Sequence, residues 1–106
     1  MDNVLIKFDA LDWEPFRRGA EQKIHDYGES RMRMLRFHDD FIEEDWCQHG
    51  HIGYVLEGTM TVNFNGTMKA YKMGDGLWIQ EGDAEKHKVI IKEGEHVVLI
   101  LFEKIR

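Results

Sequence analysis

The chain has 106 residues, 42% of them hydrophobic and 11% aromatic, which is enough for one hydrophobic core and too little for two. Fourteen basic against 20 acidic side chains give a formal net charge of −6, which argues against a phosphate-binding surface and so against nucleic acid as a partner. One cysteine excludes an intramolecular disulfide framework and fits a reducing compartment.

A single domain spanning residues 1–106 is expected. The amino terminus has no basic region followed by a long apolar segment. The longest apolar run, Val97 to Phe102, falls far short of the ~18 residues of a membrane span. A cytoplasmic protein without a membrane partner is therefore expected.

In chain order, Val4-Leu5-Ile6 reads as an edge strand. Asp12 to Phe16 reads as a turn or one loose helical turn, and residues 21–26 as a further strand. From Arg31 onward strand chemistry dominates. Arg31 and Arg33 alternate with Met32 and Met34, so both guanidiniums share one strand face, ordinarily a solvent face and otherwise one that orients a carboxylate ligand. The acidic run Asp39-Asp40…Glu43-Glu44-Asp45 reads as a solvated turn, which near a site would draw cations and disfavour anionic substrates.

Residues 59–65 alternate strictly, with Met60, Val62 and Phe64 on one face. Asn65-Gly66 then supplies the two positive-φ positions of a type I′ hairpin, which pairs Phe64 with Thr67, Val62 with Lys69 and Met60 with Tyr71. Turns at Gly74-Asp75-Gly76 and Glu81-Gly82-Asp83 bracket a short strand, Leu77-Trp78-Ile79. His87, Val89 and Ile91 share a face of the next strand, and Val97 to Phe102 reads as a buried closing strand. Many short strands between close turns mean a sandwich or a barrel. No segment sustains a capped helical period.

Two segments carry the chemistry. Asp45-Trp-Cys-Gln-His-Gly-His51 sets a thiol and two imidazoles ahead of a strand, and Glu85-Lys-His87 follows much later. Soft and borderline donors converging from distant segments are what a buried transition-metal site requires. His51 and His87 are open to two readings, core histidine or ligand. Cys47 is a small core hydrophobe or a thiolate donor, His49 a loop residue or a donor, and Asp45 and Glu85 solvated carboxylates or ligands. Gly53, on the strand face of His51, leaves space for a ligand.

Together the two segments resemble the cupin superfamily, small jelly-roll barrels with a metal in the mouth. Tyr54-Val-Leu-Glu-Gly58 is similar to the end of the first cupin motif, and Gly74-Asp-Gly76 through Ile79 and Gly82 to the second. Asp45-Trp-Cys47 with Gly50-His-Ile52 is similar to a subset of small cupins with a Trp-Cys signature.

The resemblance implies an all-β cupin-like double-stranded β-helix, or jelly-roll barrel. It aligns His51 with the family's glutamate, Asp45 and Cys47 with its two first-motif histidines, and Glu85 with its second-motif histidine. His87 lies two residues later on the same strand face. The implied shell is thus His51, His87, Cys47, Asp45 and Glu85 around a divalent transition metal: iron, zinc, nickel or manganese.

The implied function is action on a small-molecule substrate by oxidation, isomerisation or lyase chemistry. The alternatives are a non-catalytic ligand-binding or sensing module with a degenerate metal site, and a partner-binding barrel whose site has decayed. A homodimer is expected, with Ile52, Tyr54 and Leu56 facing outward as its apolar contact.

Overall fold

The computed structural model describes Met1 and residues 3–105. Its strands are β1 (Glu14–Arg17), β2 (Ala20–Tyr27), β3 (Ser30–Phe37), β4 (His51–Phe64), β5 (Thr67–Lys72), β6 (Gly76–Ile79), β7 (Lys88–Ile90) and β8 (Val97–Lys104). The described helical residues form short 3-10 turns, Phe8–Ala10 and Asp83–Glu85, and none is long and apolar enough to cross a membrane. All strand pairs are antiparallel, and β1-β2-β3-β8-β4 run side by side.

The curl of the sheet depends on β4. Its first arm lies between β8 and β6, and its second arm, from Thr59 onward, lies between β5 and β7. Between the arms a bulge sets Leu56 and Glu57 opposite Val98 alone. An extra residue in one strand inverts the period-two alternation of side chains. His51, Gly53 and Val55 therefore face inward before the bulge, and Met60, Val62 and Phe64 after it. Burial follows this switch: Val55, Met60 and Val62 are buried, while Ile52, Tyr54 and Leu56 are exposed. The core joins these residues to Leu35, Phe37, Phe41, Leu77, Ile79, Leu99 and Leu101.

The Asn65-Gly66 hairpin forms in the expected register, Phe64 with Thr67, Val62 with Lys69 and Met60 with Tyr71. Asn65 and Gly66 have φ of 52° and 108°, and Asn63 Oδ1 accepts the Gly66 N–H at 2.7 Å. Both positive angles suit the right-handed twist of the flanking strands.

Gly53 serves a different purpose from the one expected. A Cβ there would run into the Ile100 carbonyl oxygen and come within 2.8 Å of Leu101 Cδ2. Glycine lets β4 and β8 approach, and no ligand-sized gap lies beside it.

The amino-terminal third departs from the expected elements. Val4 to Ile6 form no strand, and Val4 and Leu5 are exposed, because β1 takes the free edge of β2 instead. The segment expected to turn at Pro15 is itself β1, where proline is tolerated because an edge strand needs no donor on its outer side. The Phe8–Ala10 turn seats Lys23, whose Nζ donates to the Phe8 carbonyl at 2.9 Å and lies 4.8 Å from the Trp13 ring. β8 is not terminal in the sheet but lies between β3 and β4.

Trp13 also stacks on Arg36, 4.2 Å from guanidinium to ring. Arg36 donates two hydrogen bonds of 3.0 Å to Glu21, and His38 Nε2 lies 2.7 Å from the same carboxylate. These bonds hold the Glu21 carboxyl down from 4.5 to about 2. A depressed carboxylate stabilises the fold fully above its unfolded pKa and loses that contribution as pH falls toward the folded one. Glu21→Gln is therefore expected to lower Tm at neutral pH, with the deficit shrinking between pH 4.5 and about 2. Thermal melts across that window test this. A deficit that does not change with pH would refute the assignment.

Candidate metal centre

Three of the nominated side chains converge. One ligand atom from each of Cys47, His51 and His87 lies within 4.8 Å of the others, and this is the one such cluster among the described residues. Local backbone pairing explains the convergence. Cys47 and His87 form an isolated antiparallel bridge in which each N–H donates to the other's carbonyl at 2.9 Å. Residues directly opposite one another in such a pair project to the same face. His51 opens β4 and pairs with Ile79 of β6, after which the chain turns back to reach His87.

That return is pinned twice. Glu85 Oε1 accepts the Gln80 N–H at 2.7 Å, and the Gly82 N–H donates to the Gln48 carbonyl at 2.8 Å. The imidazoles then meet edge to face, with ring centroids 5.3 Å apart, and Cys47 Sγ lies 3.6 Å from His51 Nε2.

The ring nitrogens have distinct environments. His87 is 3% exposed, and its Nδ1 lies 3.0 Å from the Glu85 carbonyl, which only accepts. Nδ1 therefore carries a proton, and in the neutral tautomer Nε2 is the nitrogen with a lone pair to offer. A backbone carbonyl fixing the tautomer in this way is the usual support of a metal-binding histidine. His51 Nδ1 is buried with no hydrogen-bond partner. A buried polar atom left unpaired costs about 1–3 kcal/mol, and one explanation for retaining it is an ion or ligand it serves. A thiol, two imidazoles and an orphaned ring nitrogen together fit a transition metal.

Asp45 and Glu85 lie outside this cluster. Asp45 is exposed, and the Glu85 carboxylate is engaged by the Gln80 N–H while its carbonyl orients His87. His49 is exposed and lines the same cavity without joining the three donors.

The cluster opens onto a cavity of about 350 Å³. Two charged residues in its wall, Glu43 and Glu103, were not nominated from sequence, and a third, Arg33, reads from sequence as facing solvent or orienting a carboxylate ligand. Glu43 belongs to the run expected to be solvated. Yet Phe41 is buried, Ile42 is exposed and bridges Ile90, and Glu43 returns inward. That two-residue alternation was the available signal, and the density of neighbouring acids hid it. Glu43 Oε1 accepts the Val89 N–H at 2.7 Å, and burial raises its pKa above the ordinary carboxylate range.

Arg31 and Arg33 face this cavity rather than solvent, on the same surface as buried Leu35. The face is polar at its Arg31 end and apolar at its Phe37 end, which fits the second of the two readings of the arginine pair.

No protein-family model matches the chain, and no curated protein matches its sequence. Solved structures do match. KdgF from Halomonas sp. superposes with a TM-score of 0.75 at 22% identity, over 92% of this chain and 90% of that one. A cupin described as RmlC-like, from Shewanella frigidimarina, gives 0.74 at 17% identity, over 96% and 90%. The fold is that of the cupins. The polyketide cyclase RemF from Streptomyces resistomycificus gives a TM-score of 0.82 at 15% identity, over 96% and 81%. At these identities the cupin likeness concerns the barrel, and the chemistry must be argued from this chain's own residues.

Proposed function

We propose that this single cupin-fold domain is a metal-dependent enzyme acting on a small molecule, with Cys47, His51 and His87 holding a divalent transition metal. The observation that carries the reading is the convergence of a thiol and two imidazoles on the wall of a 350 Å³ cavity. Cavities of roughly 300–1,000 Å³ are the range in which small ligands are held. Sulfur and imidazole donors favour zinc, iron or nickel over manganese. A reducing cytoplasm would keep Cys47 free to act as a donor. With three protein ligands, such an ion supplies Lewis acidity at an open coordination position.

The residues of the chain supply the rest. Glu43 lines the cavity, is held by the Val89 N–H, and has its pKa raised by burial. A carboxyl so placed can accept or return a proton on a bound substrate, which favours isomerisation or lyase chemistry over oxidation.

A homodimer belongs to the same reading, through the outer face of β4, β6 and β8. Trp78, Ile52 and Phe102 form one cross-strand row, with Tyr54 beside it. They are 75%, 42%, 48% and 46% exposed. At ~150–250 Å² for each aromatic, these side chains and Leu56 present on the order of 500 Å² of apolar surface. That is within the roughly 300–600 Å² of the largest patch on a typical monomer, which is often functional, and it can form the centre of a standard interface of about 800 Å² per partner.

Titration of tag-free protein with Co²⁺ tests the metal assignment. One ion per chain with thiolate-to-metal absorption is expected. Cys47→Ala and His87→Ala should each weaken binding more than about 100-fold, beyond the loss typical of an outer-shell partner, whereas Asp45→Ala should not. Full affinity in both ligand variants would remove the assignment.

On any substrate the wild type turns over, Glu43→Gln is expected to cost about 10²–10⁴ in kcat with metal stoichiometry unchanged. An unaltered kcat would take Glu43 out of the chemistry. Sedimentation velocity of the wild type and Trp78→Glu tests the dimer. Two-chain mass falling to one is expected, and a monomeric wild type would rule the interface out.

A further inference from the structure

The cavity carries a charge opposite to that of the protein. In a chain of net charge −6, its lining contains the cations Arg17, Arg31, Arg33 and Lys104 against the carboxylates Glu43 and Glu103. Arg31 is already matched by Asp26, which accepts two bonds of 2.7 and 3.0 Å.

Arg33 is not matched in this way. Its side chain is 21% exposed, its Nε donates to Gln22 Oε1 at 2.9 Å, and its guanidinium lies 5.0 Å from the Phe16 ring centroid. These contacts fix the plane of the group without occupying its outer edge. Nη1 stands 3.6 Å from Glu103 Oε1, well beyond the roughly 2.7–2.9 Å of a charge-assisted hydrogen bond.

Glu103 Oε1 is itself buried without a hydrogen-bond donor. Among the described residues, the buried side-chain polar atoms lacking a partner are this oxygen and His51 Nδ1, and both residues line the cavity. Glu103 lies one position past the Ile52–Phe102 pair and His51 one position before it, so the two flank each other on the inner surface. Beyond them the wall turns apolar, with Leu35, Phe41, Met60, Val62 and Leu77.

We propose that Arg33 and Glu103 form the substrate-docking subsite of this cavity and that the ligand is a small hydroxycarboxylic acid with an apolar body. The carboxylate takes the free edge of Arg33, and the neighbouring hydroxyl donates to Glu103. The apolar body lies against the core side chains. The two carboxylates of the lining penalise a dianion, and a cavity at the small end of the ligand range excludes a large acid. The inference rests on the reading of this cavity as the substrate site, but not on the metal.

Calorimetry with mandelate, phenylacetate and mandelamide, on chelator-treated and Co²⁺-loaded protein, tests it. These probes share an aromatic body; the second lacks the hydroxyl and the third lacks the charge. Mandelate is expected to bind about 10- to 100-fold more tightly than mandelamide, and several-fold more tightly than phenylacetate. Arg33→Gln should erase the preference over mandelamide, and Arg33→Lys should keep part of it.

Should Arg33→Gln fail to fold, the doubly substituted rim variant Arg17→Gln/Lys104→Gln, at exposed positions, should still weaken both acids in a salt-dependent way. Equal binding of mandelate and mandelamide would overturn the proposal, as would no saturable binding in the millimolar range. So would a folded Arg33→Gln that keeps the preference. Cys47→Ala separates the two readings: it should lose Co²⁺ while the metal-free protein keeps its order of affinities. Failure of the metal assignment is thereby read apart from failure of the docking subsite.

Discussion

The structure depends on the extra residue in β4. A strand of 14 residues that kept one alternation throughout would bury one parity along its whole length. It would then put either His51 or Met60 and Val62 on the solvent side. The bulge opposite Val98 resolves this by changing parity where the strand leaves β8 and β6 for β5 and β7. The same irregularity bends β4 around the core, as strands that pass from one sheet layer to another commonly do. One inserted residue thus closes the barrel and points His51 into it.

The site follows from that geometry through backbone bonds. Cys47 lies in a segment outside the named strands, and its reciprocal pairing with His87 aligns the two side chains. The loop from Gln80 to Lys86 is held by Glu85, whose carboxylate and carbonyl each fasten a different part of it. Main-chain hydrogen bonds hold their partners more narrowly than flexible surface side chains do. Donor groups positioned this way are organised before any ion arrives, which lowers the ordering cost of binding one.

Much of this architecture was legible in the residues, and the exceptions have physical causes. The strict alternation at Met60, Val62 and Phe64 and the Asn-Gly turn specify register locally, and that register formed unchanged. The sequence nominates His51, His87 and Cys47 together, and the structure brings the three side chains to one place. The bulge was not visible, since no single residue at 55–57 announces it; only the conflict in parity between His51 and Met60 does. Glu43 reads as solvated, and Arg33 first as solvent-facing, because a charged side chain is taken to face water unless a partner is known. Their partners, the Val89 N–H, Gln22 and Glu103, are distant in sequence.

Electrostatics then connects fold and function. The acids of the 39–45 run do not act as a common field at the mouth. Asp39 accepts the Gly94 N–H, Asp40 pairs with Arg18, and Glu43 accepts the Val89 N–H. These three are engaged locally, and the cavity lining sets the arginines of β1 and β3 against the carboxylates Glu43 and Glu103. Burying His51 Nδ1 unpaired costs about 1–3 kcal/mol, and Glu103 Oε1 is buried with the 3.6 Å ion pair to Arg33 but no hydrogen-bond donor. Apolar side chains of similar shape at those positions would cost less. Both residues line one cavity, where Arg33 stands 3.6 Å from Glu103. On the proposed reading, a bound ligand supplies the missing partners.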